Sequence, residues 1–393
     1  MGYRWVVLFV GALAQGTNAA VFLGLSAVSP QLRDHFGLTL PQVGLLLGAV
    51  NLGTMIALVP WGLFADNRGE RLTMTIGGIG AAACLLGVAV GNAWLAGAAL
   101  LGAGLFGASV NAASGRAVMS WFPTGRRGFA MGVRQTATPL GAALTAAFLP
   151  GIALASGVPA AFVALASVTG AVALAVALLV REPPGATRGG GAHGLVLKDP
   201  KLLRLTVASG LLVVPQFTAA TLLVPLLHEH RGLAVTTAAV VFGVAQALGG
   251  AGRLAAGVWS DRVGSRVGPL RVLAVVMAAG FVLTAVLDQA PLPVLVAVLV
   301  PTAVVALAWN GLAVTEAGEL APPGRSATAI SMQNTSNYLS ATITPAVSAS
   351  VAVHVGWPAA MLLAAVASAA GWALLQPWRS RRASSPQNSR SDS

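Results

Sequence analysis

Arg253 stands in the run "GGAGRLAAGVWSD" (249–261), eight residues before Asp261 and with no other charge between them. At helical rise that spacing puts the guanidinium about 12 Å from the acid. A cation inside an apolar helix is costly and a functional candidate by default. The planar guanidinium fork suits two-point recognition of a carboxylate. The other reading is a structural arginine bonded to backbone carbonyls or to an amide on a neighbouring helix. Arg134 and Arg116 are the other two cations inside long apolar runs. Arg134 joins the candidate ligands, whereas Arg116, close to the end of its run, reads as snorkelling or paired near a helix end.

Amides supply the neutral polar groups: Gln15, Asn18, Asn51, Asn111, Gln135, Gln216, Gln246 and Asn310, with Gln333, Asn334 and Asn337 in the polar stretch "SMQNTSNYLSATITP" (331–345). The candidate substrate-binding set is Arg253, Arg134, Gln15, Asn18, Asn111, Gln216, Gln246, Asn310, Gln333 and Asn334. Any one amide could equally be an interhelical bond.

Catalytic chemistry finds no footing. No Ser-His-Asp arrangement or carboxylate pair falls at a useful spacing, and "GGAGR" (249–253) lacks the Lys-Ser/Thr of a phosphate-binding loop. The single Cys84 supports neither a disulfide nor a zinc site. We expect no enzyme activity, no cofactor and no metal. No Asp, Glu or His falls near the middle of an apolar run; Glu316 lies towards an end, and His228, Glu229 and His230 form an outer cluster. A co-transported proton would therefore travel on a carboxylate substrate seated on Arg253, or through His228 or His230.

The elements that position these residues must be membrane helices. The chain has 393 residues, of which 56% are hydrophobic, and a mean hydropathy of +0.80. Apolar stretches of about 20 residues, enough to cross a hydrocarbon core of about 30 Å, follow one another almost without a break. We read twelve spans: 5–28, 42–65, 72–91, 93–118, 129–151, 158–180, 204–227, 237–260, 271–290, 293–317, 327–350 and 356–376. The first is a span and not a leader, since eleven more follow and no clear cleavage site does. The fold class is all-α membrane protein, with the lipid bilayer as a partner. A net charge of +12 would suggest nucleic acid in a soluble chain, but its distribution argues against that partner. Arg33 and Arg231 alone fall in outward loops, which places both termini in the cytoplasm and the protein in the cell membrane.

The chain repeats itself. At an offset of 195 residues, Gly62, Asp66, Gly69 and Arg71 of "GLFADNRGER" meet Gly257, Asp261, Gly264 and Arg266 of "GVWSDRVGSR". At 199, Asn111 meets Asn310, and "PTGR" (123–126) meets "PPGR" (322–325). The expected domains are a six-helix half over 1–180, a cytoplasmic linker over 181–203, a second six-helix half over 204–376 and a disordered tail over 377–393. An even number of spans per half makes the repeats parallel, with a cavity between them near the midplane. That cavity is where a small-molecule substrate would sit, in a carrier expected to be a monomer.

Two copies of Gly-x3-Asp-x2-Gly-x-Arg, each after the second span of a six-span half, resemble the signature loop of the major facilitator superfamily. "WFPTGRRGFAMG" (121–132) is similar to a segment found in several of its branches. The resemblance covers essentially the whole chain and implies alternating access. It departs from the pattern at Asn67, where a basic residue is usual, and lacks the Gly-Pro motif of drug and proton exchangers in "TPLGAAL" (138–144). "GRLAAGVWSD" (252–261) also looks like the monocarboxylate-transporter branch, where an arginine in this stretch engages the substrate carboxylate. Its first-half counterpart is Leu58, so this charge is not part of the repeat.

The charged turns read as an inner gate, and the resemblance implies the same role. Asp66 and Asp261 would pair with Arg126, Arg127 and Arg325, with Glu319 as a further acid. Gly69 and Gly264 would make the tight turns, and Arg71, Arg262 and Arg266 complete the gating set. The leading function is secondary transport of a small organic anion. Efflux of drugs or metabolites is the first alternative, and a transporter-like membrane sensor is the second.

Overall fold

The computed structural model describes residues 2–183 and 196–376. Most of the linker expected over 181–203, and the tail expected over 377–393, lie outside the described residues. Among the described residues the chain is helical and has no strand. The helices are α1 (Tyr3–Phe22), α2 (Ser29–Phe36), α3 (Leu40–Arg68), α4 (Glu70–Val90), α5 (Ala93–Trp121), α6 (Thr124–Leu179), α7 (Pro200–Pro225), α8 (Val235–Val263), α9 (Val267–Val286), α10 (Leu292–Ala308), α11 (Asn310–Leu320), α12 (Ser326–His354) and α13 (Trp357–Leu374).

Ten of the helical segments among the described residues are long and apolar enough to cross a membrane. Two features connect that number to the twelve spans read from the sequence. The 56-residue α6 would be about 84 Å long if straight, but Gly157, at φ 85°, breaks it where spans five and six were separated. The 29-residue α12 is not among the ten, because its Ser, Thr, Asn and Gln lower its hydropathy. The fold is an all-helical membrane fold, and its helices are consistent with twelve passes.

Span ten is interrupted: α10 ends at Ala308, the buried Trp309 intervenes, and α11 begins at Asn310. In lipid there is no hydrophobic drive between helices, so close approach decides which surfaces pack. A Cβ at Gly53 would meet the Leu101 carbonyl, and one at Gly104 the Val50 carbonyl, so α3 and α5 lie backbone to backbone. Gly16 and Gly141 bring α1 against α6 in the same way. Phe9, Phe148, Leu174 and Val240 remain exposed, which suits a surface bathed in acyl chains.

Contacts between the first six spans and the last six run mainly along α6 with α8 and along α3 with α12. In the α6–α8 seam the backbones nearly touch: a Cβ on Gly257 would come within 2.4 Å of the Gly128 carbonyl oxygen, and one on Gly132 within 2.8 Å of the Arg253 carbonyl oxygen.

Candidate functional site

The two signature loops lie together at one end of the bundle. Asp66, at the end of α3 and with its side chain fully buried, accepts hydrogen bonds from the Ala327 amide (3.0 Å), the Thr328 amide (2.9 Å) and the Thr328 hydroxyl (2.6 Å). These amides open α12, where backbone N–H groups have no helical partner and the helix dipole favours negative charge. Asp261, at the end of α8, accepts from the Gly128 amide (2.9 Å) and the Phe129 amide (2.8 Å) near the start of α6. Ala327 and Gly128 are 199 positions apart, as are Thr328 and Phe129, the offset that also relates Asn111 to Asn310. Each aspartate thus ties its own half of the chain to the other.

The partners expected from the sequence were arginines; the aspartates instead bind backbone amides of the opposite half. Arg126 is exposed, and its amide bonds within its own turn. Arg127 pairs with Glu319 at 3.7 Å and donates to the Phe122 and Met119 carbonyls. Arg325 is buried and reaches Asn67 Oδ1 at 3.5 Å. The physical reason is that a helix start offers convergent donors that need no long side chain to be held in place.

Each loop also carries an acid–guanidinium–acid triad, built from different parts. In the second half Arg266 lies between Asp261 (2.6 Å) and Glu319 (3.2 Å) and also donates to the Thr124 carbonyl. Burial works against the Arg266 charge, but the hydrogen bonds and charges of Glu319 and Asp261 outweigh it and hold the guanidinium above its usual value. In the first half the repeat points to Arg71, yet Arg71 is exposed. Its place is taken by buried Arg116, which lies 3.5 Å from Asp66 and contacts Glu70. Arg262 is exposed. Gly69 (φ 87°) and Gly264 (φ 67°) adopt the backbone conformation that the turns require.

Between the halves lies a cavity of about 110 Å³ lined by Gln15, Asn111, Gln135, Thr138, Gln216, Arg253, Asn310, Asn334, Asn337 and Tyr338, with Phe22 and Phe217 among its apolar walls. No Asp or Glu is among the described residues that line it. Two helix defects hold Arg253 there. Pro139 lies four residues after Gln135 in α6 and has no N–H to give, so the Gln135 carbonyl is free to accept from Arg253 Nη1 at 2.6 Å. Leu307 sits in the last turn of α10, where carbonyls lose their helical donors, and accepts from Arg253 Nε at 2.9 Å. Nη2 makes no hydrogen bond among the described residues.

Arg134 is buried behind that wall. It donates to Ser114 Oγ (2.8 Å), Gln135 Oε1 (2.9 Å), Gln15 Oε1 (3.0 Å) and the Asn111 carbonyl (2.9 Å), and also to Met131 Sδ. Its donors are therefore taken, and it organises the cavity amides without facing the cavity. Gln135 connects the two cations and donates to Asn310 Oδ1. Asn111 Nδ2 donates to the Tyr338 hydroxyl at 3.1 Å, from α5 to α12.

Of the ten candidate ligands, Gln15, Asn111, Gln216, Arg253, Asn310 and Asn334 line this cavity. Asn18 faces a different small void, among α1, α4, α5 and α6. Gln246 is not at the cavity, and Gln333 is fully buried without lining it. Gln135, Thr138, Asn337 and Tyr338 line it but stand outside the candidate set; the polar stretch 331–345 was the signal for the last two. His230 binds Asp288 at 3.0 Å and His228 the Leu233 carbonyl at 2.8 Å, in the last helical turn after α7 and away from the cavity.

Comparison with known proteins agrees with this architecture. Residues 8–342 match the sequence profile of the Major Facilitator Superfamily. An uncharacterized MFS-type transporter of Mycobacterium tuberculosis is 34% identical over 374 residues, covering 93% of this chain and 83% of that protein. A probable sulfoacetate transporter of Cupriavidus necator is 26% identical over 168 residues, 41% of this chain and 38% of that protein. Among solved structures, the transporter FucP in its outward conformation superposes with a TM-score of 0.77 at 16% identity, covering 94% of this chain and 97% of FucP. The human organic anion transporter MFSD10 superposes with a TM-score of 0.78 at 18% identity, covering 96% of this chain and 100% of MFSD10. With its paired loops, its interhalf cavity and a family match over most of its length, the chain belongs to the major facilitator superfamily and is a multi-pass membrane transporter.

Proposed function

We propose that this transporter is a secondary carrier of a small organic anion, working by alternating access in the cytoplasmic membrane with both termini in the cytoplasm. One observation carries the anion reading: Arg253 is buried at the cavity wall with neutral partners only, and among the described residues no carboxylate pairs with it or with Arg134 behind it. A buried charge is costly without a counter-ion, and an anionic ligand would supply one at Nη2. The name of the Cupriavidus relative points to the same chemical class.

The cavity further favours an acid that also bears a hydroxyl. Both amide ends of Asn337 are buried without a hydrogen bond among the described residues, so whichever way the amide is turned it offers a donor group and an acceptor atom. A carboxylate can use the donor but not the acceptor; a hydroxyl uses both. The cavity volume of about 110 Å³ suits a short acid. The positive-inside bias assigns the Asp66 and Asp261 end to the cytoplasm. The contacts of these aspartates then close the inner mouth and must break for release inside.

A thermal-shift screen of the purified protein tests the reading. Short carboxylates and hydroxycarboxylates should raise the melting temperature of the parent and leave Arg253→Ala unmoved, while sugars and organic cations act on neither. At a ligand concentration a hundred times Kd the stabilisation is about 2.7 kcal/mol. Anions that stabilise parent and Arg253→Ala alike would refute it.

A further inference from the structure

Arg134 can only donate, since a guanidinium carries no acceptor and stays protonated. Whatever touches it must turn an oxygen towards it, and that fixes the direction of each hydrogen bond that follows. Gln15 meets Arg134 Nη2 with Oε1 at 3.0 Å, so its Nε2 faces Asn111 and donates to Oδ1, also at 3.0 Å. Asn111 then has only Nδ2 to offer Tyr338, whose hydroxyl oxygen accepts it at 3.1 Å. Gln135 repeats the logic on the other side. Its Oε1 accepts from Arg134 Nη1 at 2.9 Å, its Nε2 donates to Asn310 Oδ1, and Asn310 Nδ2 is left at the far end.

Both chains thus start at one buried cation and end at the central cavity, which Tyr338 and Asn310 line. At each end a hydrogen is left over. The Tyr338 hydroxyl accepts from Asn111 and has its own hydrogen to give, and Asn310 Nδ2 has two; none of these finds an acceptor among the described residues. The Phe22 ring, 4.7 Å from that of Tyr338 between centroids, packs the phenol into the wall. A chain of amides that merely joined helices would be indifferent to direction, whereas these two are set by the charge, and a charge at the head polarises the bonds behind it. Arg253 Nη2 is the third open donor at the same cavity.

We propose that Arg134 is the positioning residue of the anion site: through Gln15 and Asn111 on one side and Gln135 on the other, it turns the Tyr338 hydroxyl and Asn310 Nδ2 into donors for the same carboxylate that Arg253 binds. The inference rests on the anion reading given above and adds the groups that read the oxygens of the anion. Tyr338 and Asn310 touch the ligand; Arg134 acts through them.

Calorimetric titration of the purified full-length protein with glycolate, a short hydroxycarboxylate, provides the test. Tyr338→Phe removes one donor and keeps the ring, and should weaken glycolate binding about tenfold, as expected of a lost hydrogen bond to a charged group. Gln15→Glu still gives Arg134 an oxygen but presents a second oxygen to Asn111, which turns the Asn111 amide round and draws the Tyr338 hydrogen away from the cavity. It should weaken binding by a similar factor, and the two changes together should cost little more than the larger alone, because they break the same chain. Losses that add in full overturn the positioning role, since a structural defect or the charge of the new carboxylate would act in the Tyr338→Phe background as well. Should Gln15→Glu not elute as folded protein, Asn111→Asp makes the same reversal one link further on and is judged by the same outcomes. Glycolate binding that falls in Arg253→Ala but not in Tyr338→Phe overturns this proposal and leaves the anion reading standing. No glycolate binding by the parent, or equal binding in parent and Arg253→Ala, counts against that reading and overturns this proposal with it.

Discussion

Asp66 and Thr328 lie 262 positions apart and are joined twice, the Thr328 amide at 2.9 Å and its hydroxyl at 2.6 Å donating to the same carboxylate oxygen. Asp261 makes the corresponding contact with the Gly128 and Phe129 amides. Asp66, at the end of one helix, thus caps the first turn of a helix in the other half, and Asp261 binds amides one turn further in, at the fifth and sixth residues of α6. These are hydrogen bonds between halves that can part without covalent change, which is what a gate needs.

Removing the cap should open that end. Asp66→Ala is expected to cost the closed arrangement about 2 kcal/mol, as for a lost N-cap, or roughly thirtyfold in the closed-to-open ratio. Asp66→Asn should cost less, because an amide oxygen still accepts. In a Cys84→Ser background, a cysteine placed at Thr138 in the central cavity should react faster from the Asp66 end in the Ala variant. Unchanged labelling would show that Asp66 does not hold the closure.

The two arginines related by the repeat should behave differently. Arg266 is buried between Asp261 and Glu319, so Arg266→Gln leaves two acids facing each other and should destabilise by about 3–5 kcal/mol, the usual cost of breaking a buried pair. Arg71 is exposed, and Arg71→Gln should stay within about 0.5 kcal/mol. Thermal unfolding in detergent distinguishes them, and equal effects would contradict the asymmetry of the two triads.

Closure also depends on how near α6 can come to α8. A side chain on Gly132 would press on the Arg253 carbonyl, 2.8 Å from a Cβ. Gly132→Val should wedge the seam apart, at a cost of about 1–3 kcal/mol for overpacking. The same cysteine reporter should then label faster from the Asp66 end, with the protein still folded. Labelling at the parent rate would mean that the seam yields without opening.

The parts of this protein that the sequence displayed were those its repeat carries. Asp66 and Asp261 were legible because the same spacing recurs 195 residues on, and "PTGR" and "PPGR" marked the helix starts they cap. The capping groups themselves are backbone amides, which no residue type announces, and so arginines were expected instead. Arg116 illustrates the converse: it does the work the repeat assigns to Arg71, but from another helix, which only tertiary packing could reveal. In the central cavity, helix rotation separates Asn111, which faces it, from Asn18, which does not. The Arg253 anchors were hidden because they are carbonyls released by Pro139 and by the break at Trp309, a break that an unbroken apolar run does not show.

Exchange across reconstituted vesicles tests the anion-carrier reading most directly. Parent protein in liposomes loaded with the hydroxycarboxylate that stabilises it most should take up the labelled acid by counterflow. Arg253→Ala, folded and equally incorporated, should show none above empty liposomes. Counterflow of equal rate in parent and Arg253→Ala, or its confinement to neutral or cationic compounds, would contradict an anion carrier built on Arg253.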